Sequence, residues 1–173
     1  FNRALHYLSF RMRSEFEVKT KLLDAGHGEA VALEALVKLK RLGFLDDEKF
    51  SEALLQTQKR TSSRGPKAIQ QELQRKGIEK GLQEKILESY SEDEQVEVAR
   101  KLAEKAAASS RSTPPRQVQQ KIQNALLRKG YSFDIIKRAL AEINFEREDD
   151  EWEEITEAVG EKAWRLYKSR FSG

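Results

Sequence analysis

At 173 residues, 38% apolar and 35% charged, the chain has the length of one ordinary domain but a lean core, which favours thin helical layers over one compact globule. No cysteine is present, which excludes disulfide and thiolate chemistry, and no apolar run is long enough to span a membrane. The formal net charge is only +3, so the class of partner must be inferred from where the charges fall.

The chain opens on Phe1 rather than Met and is expected to be a piece of a longer protein. With no charged-then-apolar signal segment at its start, it is expected in the cytoplasm. Residues 3–10 form a short leading helix with Leu5 and Leu8 inward. Ser14-Glu15-Phe16-Glu17 has the pattern of a capping box, in which Ser14 accepts from a first-turn amide while Glu17 reaches back. The helix it starts carries Val18 and Leu22 on one face and stops at Gly26. A second helix, from about Glu29 to Leu42, turns Val31, Ala35, Leu36 and Leu39 inward and stops at Gly43. Asp46 and Asp47 stand where an N-cap and a first-turn acid belong, and open a third helix with Phe50, Ala53, Leu54 and Thr57.

The pattern then restarts. Pro66 begins a helix with Ile69 and Leu73 inward that Gly77 ends, Leu82, Ile86 and Leu87 mark the next, and Ser91-Glu92-Asp93-Glu94 is a second capping box. That box opens a helix through Val96, Ala99, Leu102 and Ala106, which a polar loop, Ser109 to Thr113, closes. From Pro114 come Val118, Ile122 and Leu126, the stop Gly130, then Ile135, Ala139 and Leu140. The closing segment, Asn144 to Gly173, is acidic and then aromatic and basic, with Ile155, Val159, Ala163 and Leu166 at helical spacing.

Four residues before Gly26, Gly77 and Gly130 stand Leu22, Leu73 and Leu126, and eight before stand Val18, Ile69 and Ile122. Five after each stand Val31, Leu82 and Ile135. Spacings of 51 and 53 residues with matched apolar slots imply three tandem three-helix repeats in an elongated all-α array. The expected divisions are 1–57, 58–109 and 110–173, the last with an atypical C-terminal helix.

Chemistry of an enzymatic kind has little support. His6 and His27 lack a partner spacing, Asp46 and Asp47 are explained as caps, and Gly65, Gly77 and Gly81 do not form a phosphate-binding loop. No catalytic residue, metal site or cofactor is expected. The second helices hold few candidate base readers, so contact with nucleic-acid phosphate fits better than sequence reading. Lys59 to Lys76 holds six cations against the single acid Glu72, and Arg111 to Lys129 holds five with no acid.

Arg13-Ser14-Glu15 with Val18, Leu22 and Gly26 is followed by Leu42-Gly43-Phe44-Leu45-Asp46-Asp47-Glu48-Lys49-Phe50. Arg64-Gly65-Pro66 comes next, with Ile69, Glu72-Leu73 and Lys76-Gly77-Ile78. In this order the segments resemble the RecX regulatory proteins, most strongly over about residues 4–90 and then to about 143. The resemblance implies a curved array lying in the groove of the filament that the RecA recombinase forms on single-stranded DNA. It further implies modulation, with inhibition as the expected sign, of RecA ATP hydrolysis, strand exchange and the co-protease activity behind the SOS response. RecA, single-stranded DNA and double-stranded DNA are the expected partners, with no membrane and a monomeric state. A general nucleic-acid-binding helical module and a helical-repeat adaptor are the alternatives. The expected contact surface is Arg11, Arg13, Lys59, Arg60, Arg64, Lys67, Arg75, Lys76, Arg116, Lys121, Arg128 and Lys129, with Arg64, exposed before a helix start, as the leading candidate.

Overall fold

The computed structural model describes residues 1–110, 113–145 and 157–166, and every regular element among them is helical. In chain order these are α1 (Asn2–Phe10), α2 (Glu15–Asp24), α3 (Glu29–Arg41), α4 (Asp47–Ser62), α5 (Pro66–Arg75), α6 (Lys80–Glu88), α7 (Glu92–Ala108), α8 (Pro115–Arg128) and α9 (Phe133–Ala141). Residues 157–166 are helical as well. Most of the expected acidic stretch, with Trp152, Ile155, Tyr167 and Phe171, lies outside the described residues.

Apolar side chains gather into three separate cores. Val18, Leu22, Leu36 and Leu39 build the first with Ala4 of α1; Phe50, Leu55, Ile69, Leu73 and Ile86 build the second; Val96, Ile122, Leu126, Ile136 and Leu140 build the third. The units are therefore α1–α3, α4–α6 and α7–α9. The division expected after residue 57 falls inside α4, and the one expected after 109 follows α7, although α4 and α7 each pack with the two helices that come after them. The terminating glycines end the second helix of each unit rather than the first, which shifts the phase by one helix and leaves the period unchanged. Within α3 the inward set is Ala32, Ala35, Leu36 and Leu39, one helical face, and Val31 sits off that face and is 56% exposed. Leu82 is half-buried, while its neighbour Gln83 is buried and donates Nε2 to the Ile78 carbonyl at 2.8 Å.

Local caps follow the sequence closely. Ser14 and Glu17 make the full reciprocal capping box. Ser91 accepts from the Glu94 N–H at 3.3 Å, but the Glu94 carboxylate pairs with Lys59 instead of returning to Ser91. Asp46 caps α4 by accepting from the Glu48 and Lys49 N–H groups at 3.0 and 3.1 Å.

α2, α5 and α8 end in one geometry. Gly26, Gly77 and Gly130 take φ of +87°, +70° and +92°, and the N–H of the following residue returns to the buried Leu22, Leu73 or Leu126 carbonyl at 3.1, 3.1 and 3.2 Å. Two of these ends are also where units join. Ser14, the N-cap of α2, donates Oγ to the carbonyl of Lys76, the C-cap of α5, at 2.6 Å. Gly65, the N-cap of α5, donates its N–H to the carbonyl of Lys129, the C-cap of α8, at 2.8 Å, and the Lys67 N–H reaches the Gly130 carbonyl at 3.2 Å. α2 and α5 thus set their partially positive starts against the partially negative ends of α5 and α8.

The joints are tight. A Cβ on Gly65 would lie 2.6 Å from the Gly130 carbonyl carbon, and one on Gly130 would lie 2.5 Å from the Ala68 nitrogen. Gly65→Ala is expected to push the second and third units apart at a cost of roughly 1–3 kcal/mol. Thermal unfolding would show the loss, with far-UV helix content retained.

The first joint has an ionic lock as well. Glu17 accepts from Arg11 at 2.8 and 3.3 Å, from Lys76 at 2.7 Å and from the Ser14 N–H at 3.1 Å. Burial works to raise its pKa, but these hydrogen bonds together hold it at about 2, below the ordinary 4.5. Because the folded-state value is the depressed one, the stabilisation is complete above about pH 4.5 and is lost as pH falls towards 2. Denaturant titrations between these limits should show that loss, and Glu17→Gln should flatten the pH dependence.

Candidate nucleic-acid interface

Between the second and third units lies a cleft of about 740 Å³ lined by Thr61, Ser62, Arg64, Ala68, Gln71, Arg75, Ala125, Arg128 and Lys129. Arg64, Ala68, Gln71 and Arg75 are four, three and four residues apart, so they form one stripe along α5 and the turn before it. The C-terminal turn of α8 supplies the facing wall through Ala125, Arg128 and Lys129. Among the described residues four cations and no carboxylate line the cleft.

The third unit fixes the turn that carries Arg64. Lys129 Nζ donates to the Ser62 carbonyl at 2.6 Å, and the Tyr131 hydroxyl donates to the Ser63 carbonyl at 2.9 Å. Ser63 is held at φ +48°, the left-handed region that a non-glycine residue seldom adopts. Behind it, Tyr90 and Tyr131 bring their hydroxyls to 3.4 Å in a buried contact, where desolvation pushes the Tyr131 phenol well above its usual range.

The structure gathers Arg64, Arg75, Arg128 and Lys129 of the expected contact residues and disperses the others. Arg64 is half-buried against the joint rather than exposed. Lys59 is buried, paired with Glu94 and 4.7 Å from the Tyr90 ring centroid, so it ties α4 to α7 instead of facing a partner. Arg11 and Lys76 are held by Glu17, and Arg13 donates Nε to the Tyr7 carbonyl at 3.0 Å. Arg60, Lys67, Arg116 and Lys121 are exposed and lie outside the cleft lining. Arg75 pairs with Glu72, whereas Arg64 and Arg128 have no ion-pair partner among the described residues.

Charge counting missed Thr61, Ser62 and Gln71, which add polar groups to the lining. The signal that finds the cleft is the helical stripe from Arg64 to Arg75 with the small, uncharged Ala68 inside it. Asp47 was also under-read: beyond opening α4, its carboxylate accepts from the Glu15 N–H across the first joint at 2.9 Å. Burial raises the Asp47 carboxyl despite that hydrogen bond. Such a cleft has the donors and the charge to hold phosphate groups without reading bases.

Family models describing the first, second and third three-helix domains of RecX match residues 1–44, 46–87 and 92–140. The "Regulatory protein RecX" of Bacillus licheniformis is 40% identical over 167 residues, covering 96% of this chain and 64% of that protein. The protein of the same name from Halalkalibacterium halodurans is 38% identical over 173 residues, covering 100% of this chain and 65% of that one. The chain thus spans just under two thirds of the length of these relatives. The crystal structure of RecX from Lactobacillus salivarius superposes with a TM-score of 0.76 at 38% identity, covering 82% of this chain and 92% of that one. A second crystal structure, of a regulatory protein RecX, gives a TM-score of 0.74 at 32% identity, covering 82% of this chain and 71% of that one. With its three three-helix units each matched in order, the chain belongs to the RecX family of regulatory proteins.

Proposed function

We propose that the chain modulates the RecA recombinase by binding the filament that RecA forms on single-stranded DNA. There it restrains ATP hydrolysis, strand exchange and the co-protease activity that triggers the SOS response. It acts by binding, in the cytoplasm, as a monomer and without a catalytic step of its own. The observation that carries this reading is the cleft at the joint of two stacked units, which among the described residues is lined by no carboxylate and leaves Arg64 and Arg128 in no ion pair, in a chain of the RecX family. An array of short units can follow a filament groove, and a joint cleft can meet the phosphate backbone exposed there.

A general nucleic-acid-binding module has the same cleft in its favour, and RecA assays separate the two. Adding the chain to RecA on single-stranded DNA should lower ATPase turnover and strand exchange. Normal DNA binding with no effect on RecA at any ratio would leave only the general module. The triple charge reversal Arg64→Glu, Arg75→Glu and Arg128→Glu should weaken filament binding by about tenfold or more and lower the salt slope of log affinity by about 2. Helix content by circular dichroism should be retained. Inhibition that survives the triple change would put the contact surface elsewhere on the array.

A further inference from the structure

The two joints share one arrangement of helix start against helix stop, although Gly77 meets Phe16 in the first and Gly130 meets Ala68, one position beyond the match of Phe16, in the second. At the spacings of 51 and 53 residues, Arg64, Ala68, Gln71 and Arg75 of the second joint correspond to Arg13, Glu17, Thr20 and Asp24 of the first. Ala125, Arg128 and Lys129 likewise correspond to Glu72, Arg75 and Lys76. Cations therefore recur at matched places: Arg13 with Arg64, Arg75 with Arg128, and Lys76 with Lys129. Carboxylates do not recur. Glu17 neutralises the first joint by pairing with Arg11 and Lys76, Glu72 pairs with Arg75 within α5, and the positions that match both glutamates at the second joint are alanines.

The Glu17 carboxylate therefore acts as an internal oxyanion that fills the first joint. In the second joint the matching side chain stops at the Ala68 Cβ, and the space beside it is the cleft. Lys129, in no ion pair among the described residues, donates to the neutral Ser62 carbonyl instead. We propose that the second joint holds one external phosphate group of a nucleic-acid backbone, seated beside Ala68 where Glu17 places its carboxylate in the first joint. Arg64, Arg128 and Lys129 supply the charge, and the Ser62 hydroxyl supplies a further donor, the Thr61 hydroxyl being spent on the Thr57 carbonyl at 2.7 Å. An acidic peptide could offer a carboxylate there. The cleft, however, sets Arg64, Arg128 and Lys129 around a volume far larger than one carboxylate, and the stripe along α5 continues that wall to the Glu72-paired Arg75 in a line as a phosphodiester chain requires. This assignment rests on the cleft being the contact surface proposed above.

Substitution at the two matched positions tests it. In fluorescence anisotropy with a labelled oligothymidylate, Ala68→Glu should lower affinity about tenfold or more by supplying the carboxylate from within. Ala68→Gln, which fills similar volume without the charge, should lose about tenfold less. Equal losses for the two variants would make the effect steric and overturn the proposal. Glu17→Ala should open a second site: its melting temperature should fall in phosphate-free buffer and recover on adding pyrophosphate, and oligothymidylate affinity should rise severalfold. No recovery and no gain would overturn it. Pyrophosphate should raise the melting temperature of the unsubstituted chain, and oligothymidylate should do so at far lower concentration. Equal potency per phosphate would assign the site to free phosphate instead of a backbone. Displacement of oligothymidylate by polyglutamate, with no response to pyrophosphate, would assign it to an acidic peptide and overturn the proposal. RecA ATPase measured on the same variants separates the two levels: unchanged oligothymidylate binding by Ala68→Glu sinks the phosphate position, whereas absence of any effect of the unsubstituted chain on RecA sinks the RecA reading alone.

Discussion

The array depends on one contact, the start of a second helix set against the glycine-ended stop of the next unit's second helix. Ser14 on the Lys76 carbonyl and Gly65 on the Lys129 carbonyl are two versions of it. Helix ends leave backbone donors and acceptors without partners inside the helix. Placing a start against a stop satisfies both sets at once and aligns opposite partial charges. Small cores such as those of α1–α3 and α4–α6 gain from this because neither buries much apolar surface alone. The left-handed glycines then have two roles: they close each helix back onto its own buried leucine, and at Gly77 and Gly130 they leave the space into which the preceding unit fits.

The same backbone contact carries different electrostatics in its two copies. The first joint is saturated, with Glu17 accepting from two cations and one amide and held ionised well below neutral pH. In the second, an alanine stands in place of that glutamate, and a tyrosine pair with the Lys59–Glu94 pair takes over the task of holding the units together. Structural cohesion there comes from groups behind the joint, and among the described residues Arg64 and Arg128 in front of it are in no ion pair, while Arg75 is paired with Glu72 and Lys129 donates to the Ser62 carbonyl. Removing a carboxylate from a set of fixed cations would ordinarily be destabilising. The buried tyrosines and the added backbone bond from Lys67 to Gly130 are the compensation visible in the structure.

Much of this was legible in the residues. The glycine stops, the inward leucines four residues before them and the Ser14–Glu17 capping box follow from local rules that tertiary packing did not override. The phase of the repeat was not legible, because a terminating glycine marks the end of a helix but not its rank within a unit. That rank is decided by which cores close, and α4 packs forward on Ile69 and Leu73. Half-buried cations were the other blind spot. Lys59, Arg11 and Lys76 look like surface charges in the chain, and only the fold brings Glu94 or Glu17 to them. Arg64 and Arg128 stand 64 positions apart in the sequence, so their shared cleft is a tertiary fact.

Because the cleft walls belong to different units, their separation is set by the joint itself. Gly65 and Gly130 meet backbone to backbone, so Arg64 and Lys129 have little freedom to adjust their distance without parting the units. A ligand that bridges the walls is therefore linked to the joint: it binds the closed arrangement better than an opened one and stabilises it by the same free energy. A cationic patch on a single helix would lack this property, since its charges keep their spacing whatever the neighbouring units do. With the cations placed across a joint, phosphate binding of the kind proposed would be tied to the relative position of two stacked units.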